Sequence, residues 1–520
     1  MNGFDGSTSM LSKRESSSGG RPKGRRMVEG RTHKPVIEPD ACQICKACVH
    51  GCPAEFIPEY RKEVHSLRGT LYSGQTRRPR RDEKNSLPPC QDACPVNLQT
   101  RLYTRLIAEG KYLEALDVIR EELPFPGVIG RICHHPCEEA CLRGEKIDDA
   151  VSLCDLKRFV ADYEVGKREI PIPVAGNRKE KKVAVIGGGP SGMSCALDLR
   201  KAGYAVTLFE SSDRLGGMLY WGVPAYRLPK PVLEREASLV EKAGVEVRYR
   251  TEVGKDISLK QICDSHDAVY IACGAQRGAK LGVQDEDAQG VIGGVEFLRL
   301  VGERTIKQAT EHAIAETIGE RVIVVGGGNV AVDTARTAQR LGAKDVRIVC
   351  LEKRREMPAG ELEVEQAREE GAKILARWAP KRIITQVGKV TGIELMRCVA
   401  VFDREGRFNP FYRDGITRTL DADTIIVAIG QAPDVAFLKA IGGFEMAQGG
   451  WIKTGPETHE TSIPGVFAGG DVVAGPRMAI DAIADGKKAA ASIDRYLSGT
   501  RSSTGEARDA RTREGSARKN

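Results

Sequence analysis

The sequence predicts an α/β protein: two Rossmann-like dinucleotide-binding domains, one inserted in the other, preceded by an α-helical, cysteine-dense domain and flanked by disordered tails. Three observations carry this. Glycine-rich turns recur about one domain apart, at Gly187–Gly192 and Gly326–Ala331, and a cysteine-dense segment precedes both. The length of 520 residues suggests about three domains, and 41% hydrophobic residues suffice for real cores.

The first turn is Val183-Ala-Val-Ile-Gly187-Gly-Gly189-Pro190-Ser191-Gly192, followed by a helical run Met193–Ala202 and a strand Ala205–Phe209 that ends in Glu210. In this strand-turn-helix setting Gly187 permits the tight turn, Gly189 lets the backbone approach a pyrophosphate, and Gly192 lets helix and strand pack closely. Phosphate oxygens then meet free N–H groups at a helix N-terminus. Glu210 stands where a carboxylate accepts hydrogen bonds from ribose hydroxyls. The second turn repeats the pattern: Val322-Ile-Val-Val-Gly326-Gly-Gly328-Asn329-Val330-Ala331, a helix to about Leu341, and a strand Val346–Leu351. Ala331 replaces the third glycine, which a small methyl allows. Two cradles imply two dinucleotides.

Apolar runs at Asp267–Ala275 and Asp423–Pro433 read as buried strands ending in small residues, and Ile463–Asp471 sets an aspartate after Gly469-Gly470 at a strand end. The set resembles the two-dinucleotide-binding-domain flavoproteins over roughly residues 181–497. Asp213–Leu219 and Gly222–Pro229 narrow the resemblance to the glutamate synthase small subunit and the N-terminal half of dihydropyrimidine dehydrogenase. The resemblance implies FAD on Gly187, Gly189, Pro190, Ser191, Gly192, Glu210, Arg214, Gly217, Gly470 and Asp471. It implies a nicotinamide cofactor on Gly326, Gly328, Asn329, Val330, Ala331, Glu352 and Arg354. Disulfide reductases of this fold carry a close cysteine pair facing the flavin; this chain has none there, so disulfide reduction is set aside. Cys195 reads as a buried thiol in the helix of the first cradle.

Upstream, Cys42-x-x-Cys45-x-x-Cys48-x-x-x-Cys52-Pro53 has the bacterial ferredoxin spacing. Paired zinc spacing and a disulfide framework fit it poorly. A second block, Cys90, Cys94, Cys133, Cys137 and Cys141, with a helical stretch at about Leu98–Glu122, resembles the iron–sulfur domain of the same two families. Those families place a further CxxC pair before the position of Cys90, where this chain has Arg77-Arg-Pro-Arg-Arg-Asp-Glu-Lys84. Either the Cys42–Cys52 block supplies the missing ligands, or it forms its own cluster while Cys154 or a non-cysteine group completes another. Two [4Fe–4S] clusters are expected. His134 and His135 read as loop histidines rather than ligands.

Fifteen cysteines without a signal peptide point to a reducing, cytoplasmic setting. No apolar run reaches the roughly 18 residues of a membrane helix. Residues 1–40 carry eight basic and five acidic residues, 499–520 six and three, and 61–84 eight and three. The formal charge of +8 therefore belongs to the tails and a linker, and the remainder is net acidic. Without interleaved aromatics this argues against nucleic acid and for docking an acidic redox partner such as ferredoxin. The expected division is a disordered basic tail (1–40), a ferredoxin-like segment (41–60), a basic linker (61–84) and a helical iron–sulfur domain (85–175). An FAD domain follows in two parts (181–290 and 435–498) around a nicotinamide domain (291–434), with a disordered tail at 499–520.

Leu351-Glu352 stands where the resembling NADPH enzymes carry an arginine pair, which favours NADH, although a small loop shift would let Lys353–Arg355 reach a phosphate. The run Glu361, Glu363, Glu365 reads as a solvated helix face, and Asp403–Arg407 as a hairpin turn. No acid–base residue is assigned. The reading that follows is an NAD(P)H:acceptor oxidoreductase and electron-input subunit of a larger complex, with electrons passing through FAD and clusters to ferredoxin or a catalytic subunit. A glutamate synthase small subunit is the near alternative, and a redox-sensing regulator with nucleic-acid-binding tails the distant one.

Overall fold

The computed structural model describes residues 87–173, 176–306 and 318–499. All lie within the unit Ile37–Asn520; Met1–Val36 lies outside the described residues. Also outside them are Cys42, Cys45, Cys48 and Cys52, the 61–84 linker and 500–520.

The N-terminal part is helical. The expected helical stretch is made of two helices, α1 (Thr100–Ala108) and α2 (Tyr112–Glu122), divided where Gly110 takes φ +77°. A residue in the left-handed region cannot continue a right-handed helix, and glycine enters it without a Cβ penalty. α3 (Pro126–Ile132) starts on a proline and ends at Cys133, and α4 (Leu153–Glu164) packs along it. The core beneath them holds Leu116, Ile119, Phe125, Val128, Ile129 and Val160, all essentially inaccessible to solvent.

Next come β1 (Lys182–Ile186), α5 (Pro190–Lys201), β2 (Ala205–Phe209), α6 (Lys230–Ala237), β3 (Glu246–Arg248) and β4 (Ala268–Ile271). Four of the five β1 residues and all of β4 are buried, as expected of parallel strands covered on both faces. A second α/β unit holds β5 (Val291–Gly293), α7 (Gly294–Ile306), β6 (Arg321–Val325), α8 (Asn329–Arg340), β7 (Asp345–Cys350), α9 (Glu361–Glu369) and β8 (Lys373–Ala376). An antiparallel meander, β9 (Trp378–Gln386), β10 (Lys389–Phe402) and β11 (Phe408–Asp421), precedes β12 (Thr424–Val427). The turn between β10 and β11 is the expected one: the Asp403 carboxylate accepts from the Glu405 and Arg407 N–H groups.

Beyond the second unit, β13 (Val466–Ala468) and α10 (Ala479–Leu497) return to the first. Its sheet runs β13-β4-β1-β2-β3, and the second runs β5-β12-β6-β7-β8, every pairing parallel. The inner order repeats, and an edge strand is added to each sheet from a different side of the sequence. Two antiparallel crossings, Arg277–Gly278 with Gln431–Ala432, join the units.

Two buried carboxylates fasten the helical part to the first unit. Glu236 of α6 accepts from the Gly127 and Val128 N–H groups, at 2.7 and 2.9 Å, at the start of α3. Burial pushes its carboxyl up to about 7. Glu164 of α4 meets Arg120 of α2 at 2.6 Å and Arg235 of α6 at 3.1 Å. Burial alone would raise its pKa, but the guanidinium groups prevail and hold it below the usual carboxylate range.

Glu236→Ala should lower unfolding stability by about 1–3 kcal/mol, because two buried N–H groups lose their acceptor. Since the folded carboxyl titrates above its unfolded value of 4.5, the wild-type contribution declines as pH rises from about 4.5 to 7. Glu236→Gln should flatten that part of the profile in thermal melts.

Candidate functional site

At the first cradle Gly187 takes φ +103°, and a Cβ there would lie 2.5 Å from the Ala272 carbonyl oxygen. A Cβ on Gly192 would lie 1.9 Å from the Gly187 oxygen, which is the close helix–strand contact that excludes any side chain. Gly189 differs, since a Cβ there would meet nothing within 4 Å. It caps α5, with Pro190 at the first helical position, so open space faces a helix N-terminus. Glu210 is buried after β2; its Oε2 accepts from Gly188 N–H at 2.8 Å and its Oε1 from Ser212 N–H at 2.8 Å. Gly217 approaches Gly189 closely, a Cβ on it lying 2.9 Å from the Gly189 Cα. Gly470 lies against Ser191, whose hydroxyl bonds Tyr270 at 2.7 Å. Asp471 begins a short helix; it accepts from Arg477 N–H at 3.2 Å, and burial pushes its carboxyl up to about 6. Arg214 pairs with Asp213 at 2.8 Å and lies over the Tyr220 ring at 4.8 Å.

The second cradle has the same geometry. A Cβ on Gly326 would lie 2.2 Å from the Ala428 oxygen, whereas one on Gly328, the cap of α8, would meet nothing within 4 Å. Ala331 is fully buried at the position of the third glycine. Glu352 leans on the turn: a Cβ on Gly327 would lie 2.6 Å from its Oε2, so its carboxylate covers this cradle much as Glu210 covers the first. Arg354 pairs with Glu365, and Asn329 Oδ1 accepts from Gly360 N–H at 2.9 Å.

A cavity of about 1150 Å³ joins the units. Gly187, Gly189, Pro190, Ser191, Glu210, Arg214, Gly217, Gly470 and Asp471 line it from the first unit, and Asn329 and Val330 from the second. Gly192, Gly326, Gly328, Ala331, Glu352 and Arg354 lie off its wall. Its size and the first phosphate turn on its wall fit an extended dinucleotide, and the second turn borders it only through Asn329 and Val330 at the start of α8.

Sequence reasoning did not assign three charged residues that meet here. Arg227 donates to Asp333 at 2.7 Å and to Glu363 at 3.2 Å, and Arg227 and Asp333 line the cavity. Asp333 is 5% exposed, its Oδ1 accepts no hydrogen bond, and burial pushes its carboxyl up to about 6. Glu363 is therefore not part of a purely solvated helix face; its partner comes from the other unit. The available signal was helical spacing, because Asp333 follows Asn329 by one turn of α8 and so shares its face.

Six cysteines of the helical part, Cys90, Cys94, Cys133, Cys137, Cys141 and Cys154, are buried. The thiol of Cys154 bonds those of Cys133 and Cys137, and Cys94 faces Cys133 within electrostatic reach. The Cys154 bond and burial push Cys133 up to about 12. Four buried thiols brought together suit an iron–sulfur centre, whose cationic core would supply the charge that compensates their ionisation. Cys90, bonded to Thr100 at 3.0 Å, and Cys141 line a separate small hollow. The division is thus four and two, with Cys154 in the four. Its signal was its offset from the other cysteines by a helix that folds back on them. His134 is exposed, and His135 approaches Glu138 at 3.5 Å. Ile132 lines the large cavity and its neighbour Cys133 belongs to the four thiols, so one peptide step separates the two sites.

The family model for pyridine nucleotide-disulphide oxidoreductases matches residues 181–486, and that for dihydropyrimidine dehydrogenase domain II, 4Fe-4S cluster, matches 76–169. The chain is 40% identical over 443 residues to the NADP(+)-dependent formate dehydrogenase subunit beta of Moorella thermoacetica, covering 80% of this chain and 61% of that one. It is 33% identical to the glutamate synthase [NADPH] small chain of Escherichia coli, over 79% of this chain and 89% of the relative. The solved structure of Mycobacterium tuberculosis FprA in complex with NADPH shares the fold, with a TM-score of 0.53 at 20% identity over 62% of this chain and 85% of that chain. Among the described residues no helix is long and apolar enough to cross a membrane. Two phosphate turns on repeated parallel sheets, with a buried thiol set in the helical part before them, are therefore those of a chain that belongs to the pyridine nucleotide-disulphide oxidoreductase family.

Proposed function

We propose that this chain is an NAD(P)H-oxidising flavoprotein that takes electrons into a larger assembly and delivers them through two [4Fe–4S] clusters to ferredoxin or a partner catalytic subunit. The observation that carries the reading is the adjacency of Ile132, on the cavity wall, and Cys133, in the thiol set. When bound, FAD converts two-electron to one-electron transfer, and iron–sulfur clusters carry the single electrons. The helical domain would span 85–175, the flavin domain 181–290 with 435–498, and the nicotinamide domain 291–434.

The chain's own work is holding and orienting. The first cradle with Glu210, Gly470 and Asp471 would take FAD, and Arg214 and Gly217 would border it. Gly326, Gly328, Asn329, Val330 and Ala331 would take the nicotinamide cofactor. Asp333 presents a buried acceptor without a donor to the space between them, suited to an N–H of the nicotinamide amide. Arg227 fixes that carboxylate across the two units. Cys94, Cys133, Cys137 and Cys154 would hold one cluster. Cys90 and Cys141 would join thiols of the Cys42–Cys52 run in the other.

NADH is the proposed donor, although the relatives above are named for NADP(+) and NADPH. A carboxylate over Gly327 suits ribose hydroxyls and repels a 2′-phosphate, while Arg354 is engaged by Glu365. The near alternative, a glutamate synthase small subunit, is favoured by the 89% coverage of that relative. It would be settled by glutamate formation from glutamine and 2-oxoglutarate with a large subunit.

Protein purified without oxygen should contain flavin, iron and sulfide, and NADH should bleach both chromophores. Flavin that neither nucleotide reduces would refute the input role. Cys154→Ser should reduce bound iron while leaving flavin unchanged; full iron would remove Cys154 from the ligand set. For specificity, kcat/KM should favour NADH, and Glu352→Ser should shift the ratio about tenfold toward NADPH. A wild-type preference for NADPH would overturn the assignment to NADH.

A further inference from the structure

We propose that Lys157 is a fixed buried cation that raises the reduction potential of the cluster held by Cys94, Cys133, Cys137 and Cys154; this rests on the iron–sulfur reading above. Lysine is almost never fully buried without a partner. Lys157 is 3% exposed, and no aspartate or glutamate pairs with it among the described residues. The groups that act on its charge are instead Cys154, Cys133, Cys137 and Cys94. They are the same four thiols that cluster together.

The placement follows from α4. Cys154 and Lys157 are three residues apart on one helix and so share a face. That face turns toward Cys133 at the end of α3, along which α4 packs. A lone ammonium there would carry a desolvation cost with nothing to offset it. Four thiolates around iron would offset it, since such a centre is negatively charged as a whole.

The sign of the effect is fixed by charge. One-electron reduction of such a centre adds one negative charge and breaks no bond, the electron coming from the reduced flavin of the proposed function. A positive charge held nearby in a poorly screening interior stabilises the more negative form. It therefore favours electron entry from the cavity side. Arginine would preserve the charge, and methionine would fill similar volume without it.

The test uses the full chain, purified and reconstituted without oxygen, as wild type, Lys157→Met and Lys157→Arg. Iron and sulfide per chain are measured first, then the cluster midpoint by a mediated titration followed by electron paramagnetic resonance. Lys157→Met should retain iron and shift the midpoint downward at least tenfold in the one-electron equilibrium, about 59 mV. Lys157→Arg should stay closer to wild type. An unchanged midpoint in a fully loaded Lys157→Met would overturn the proposal. Iron lost from Lys157→Met would overturn it in favour of a structural role for Lys157, whether or not Lys157→Arg retains iron. If wild type itself binds no iron, it is the underlying iron–sulfur reading that fails.

Discussion

The seating of α3 on α6 is the constraint on which the site depends. α3 is short, begins with a proline and cannot satisfy its own first N–H groups. Glu236 supplies both missing acceptors from another part of the chain, and a Cβ on Gly127 would lie 2.9 Å from that carboxylate. Position and direction of the helix are thereby fixed together. Its last turn brings Ile132 to the cavity wall, and the next residue, Cys133, enters the thiol set. Glu164, held by arginines from α2 and α6, is a second tie between the helical part and the first unit. These contacts seat α3 between the cavity and the thiol set.

The large cavity obeys a similar logic on a larger scale. Each phosphate turn is made by a glycine in the left-handed or neighbouring region pressed on a carbonyl from an adjacent strand, Ala272 in one unit and Ala428 in the other. Each is then covered by a carboxylate at the end of the next strand. Repetition of one solution in two sheets gives two equivalent cradles, but repetition alone does not join the units. The units are joined by the Arg277–Gly278 and Gln431–Ala432 crossing and by the Arg227–Asp333–Glu363 group. That group is costly to bury, and it sits where the two units must meet in one geometry. Such cost is tolerated where position matters more than stability.

The buried thiols and Lys157 extend the same principle to the helical part. Groups that would be unfavourable separately, neutral thiols without water and an ammonium without a carboxylate, are collected at one point. Together they suit a centre that carries its own charge.

Much of this was legible in the sequence, and the limits have physical causes. Gly187, Gly189, Gly192, Gly326 and Gly328 were readable because their roles are local: a turn, a cap and a helix–strand contact all lie within a few residues. Glu210 and Glu352 were readable because strand length fixes where a carboxylate falls. The cysteines announced themselves by spacing, but spacing could not separate Cys90 and Cys141 from the four, or include Cys154 in them, because that division depends on where α4 folds back. The helical stretch expected at Leu98–Glu122 is present, and its division at Gly110 is set by one φ angle that the apolar periodicity does not report. Asp333, Glu363, Glu236 and Lys157 looked like ordinary helix residues; only packing against distant segments gave them partners. The sequence by itself determined the elements and the two phosphate turns, since these arise from short-range backbone sterics. Tertiary structure alone decided which charges are buried, which thiols meet and how near the cavity they lie, because those properties depend on contacts between residues dozens to more than a hundred positions apart.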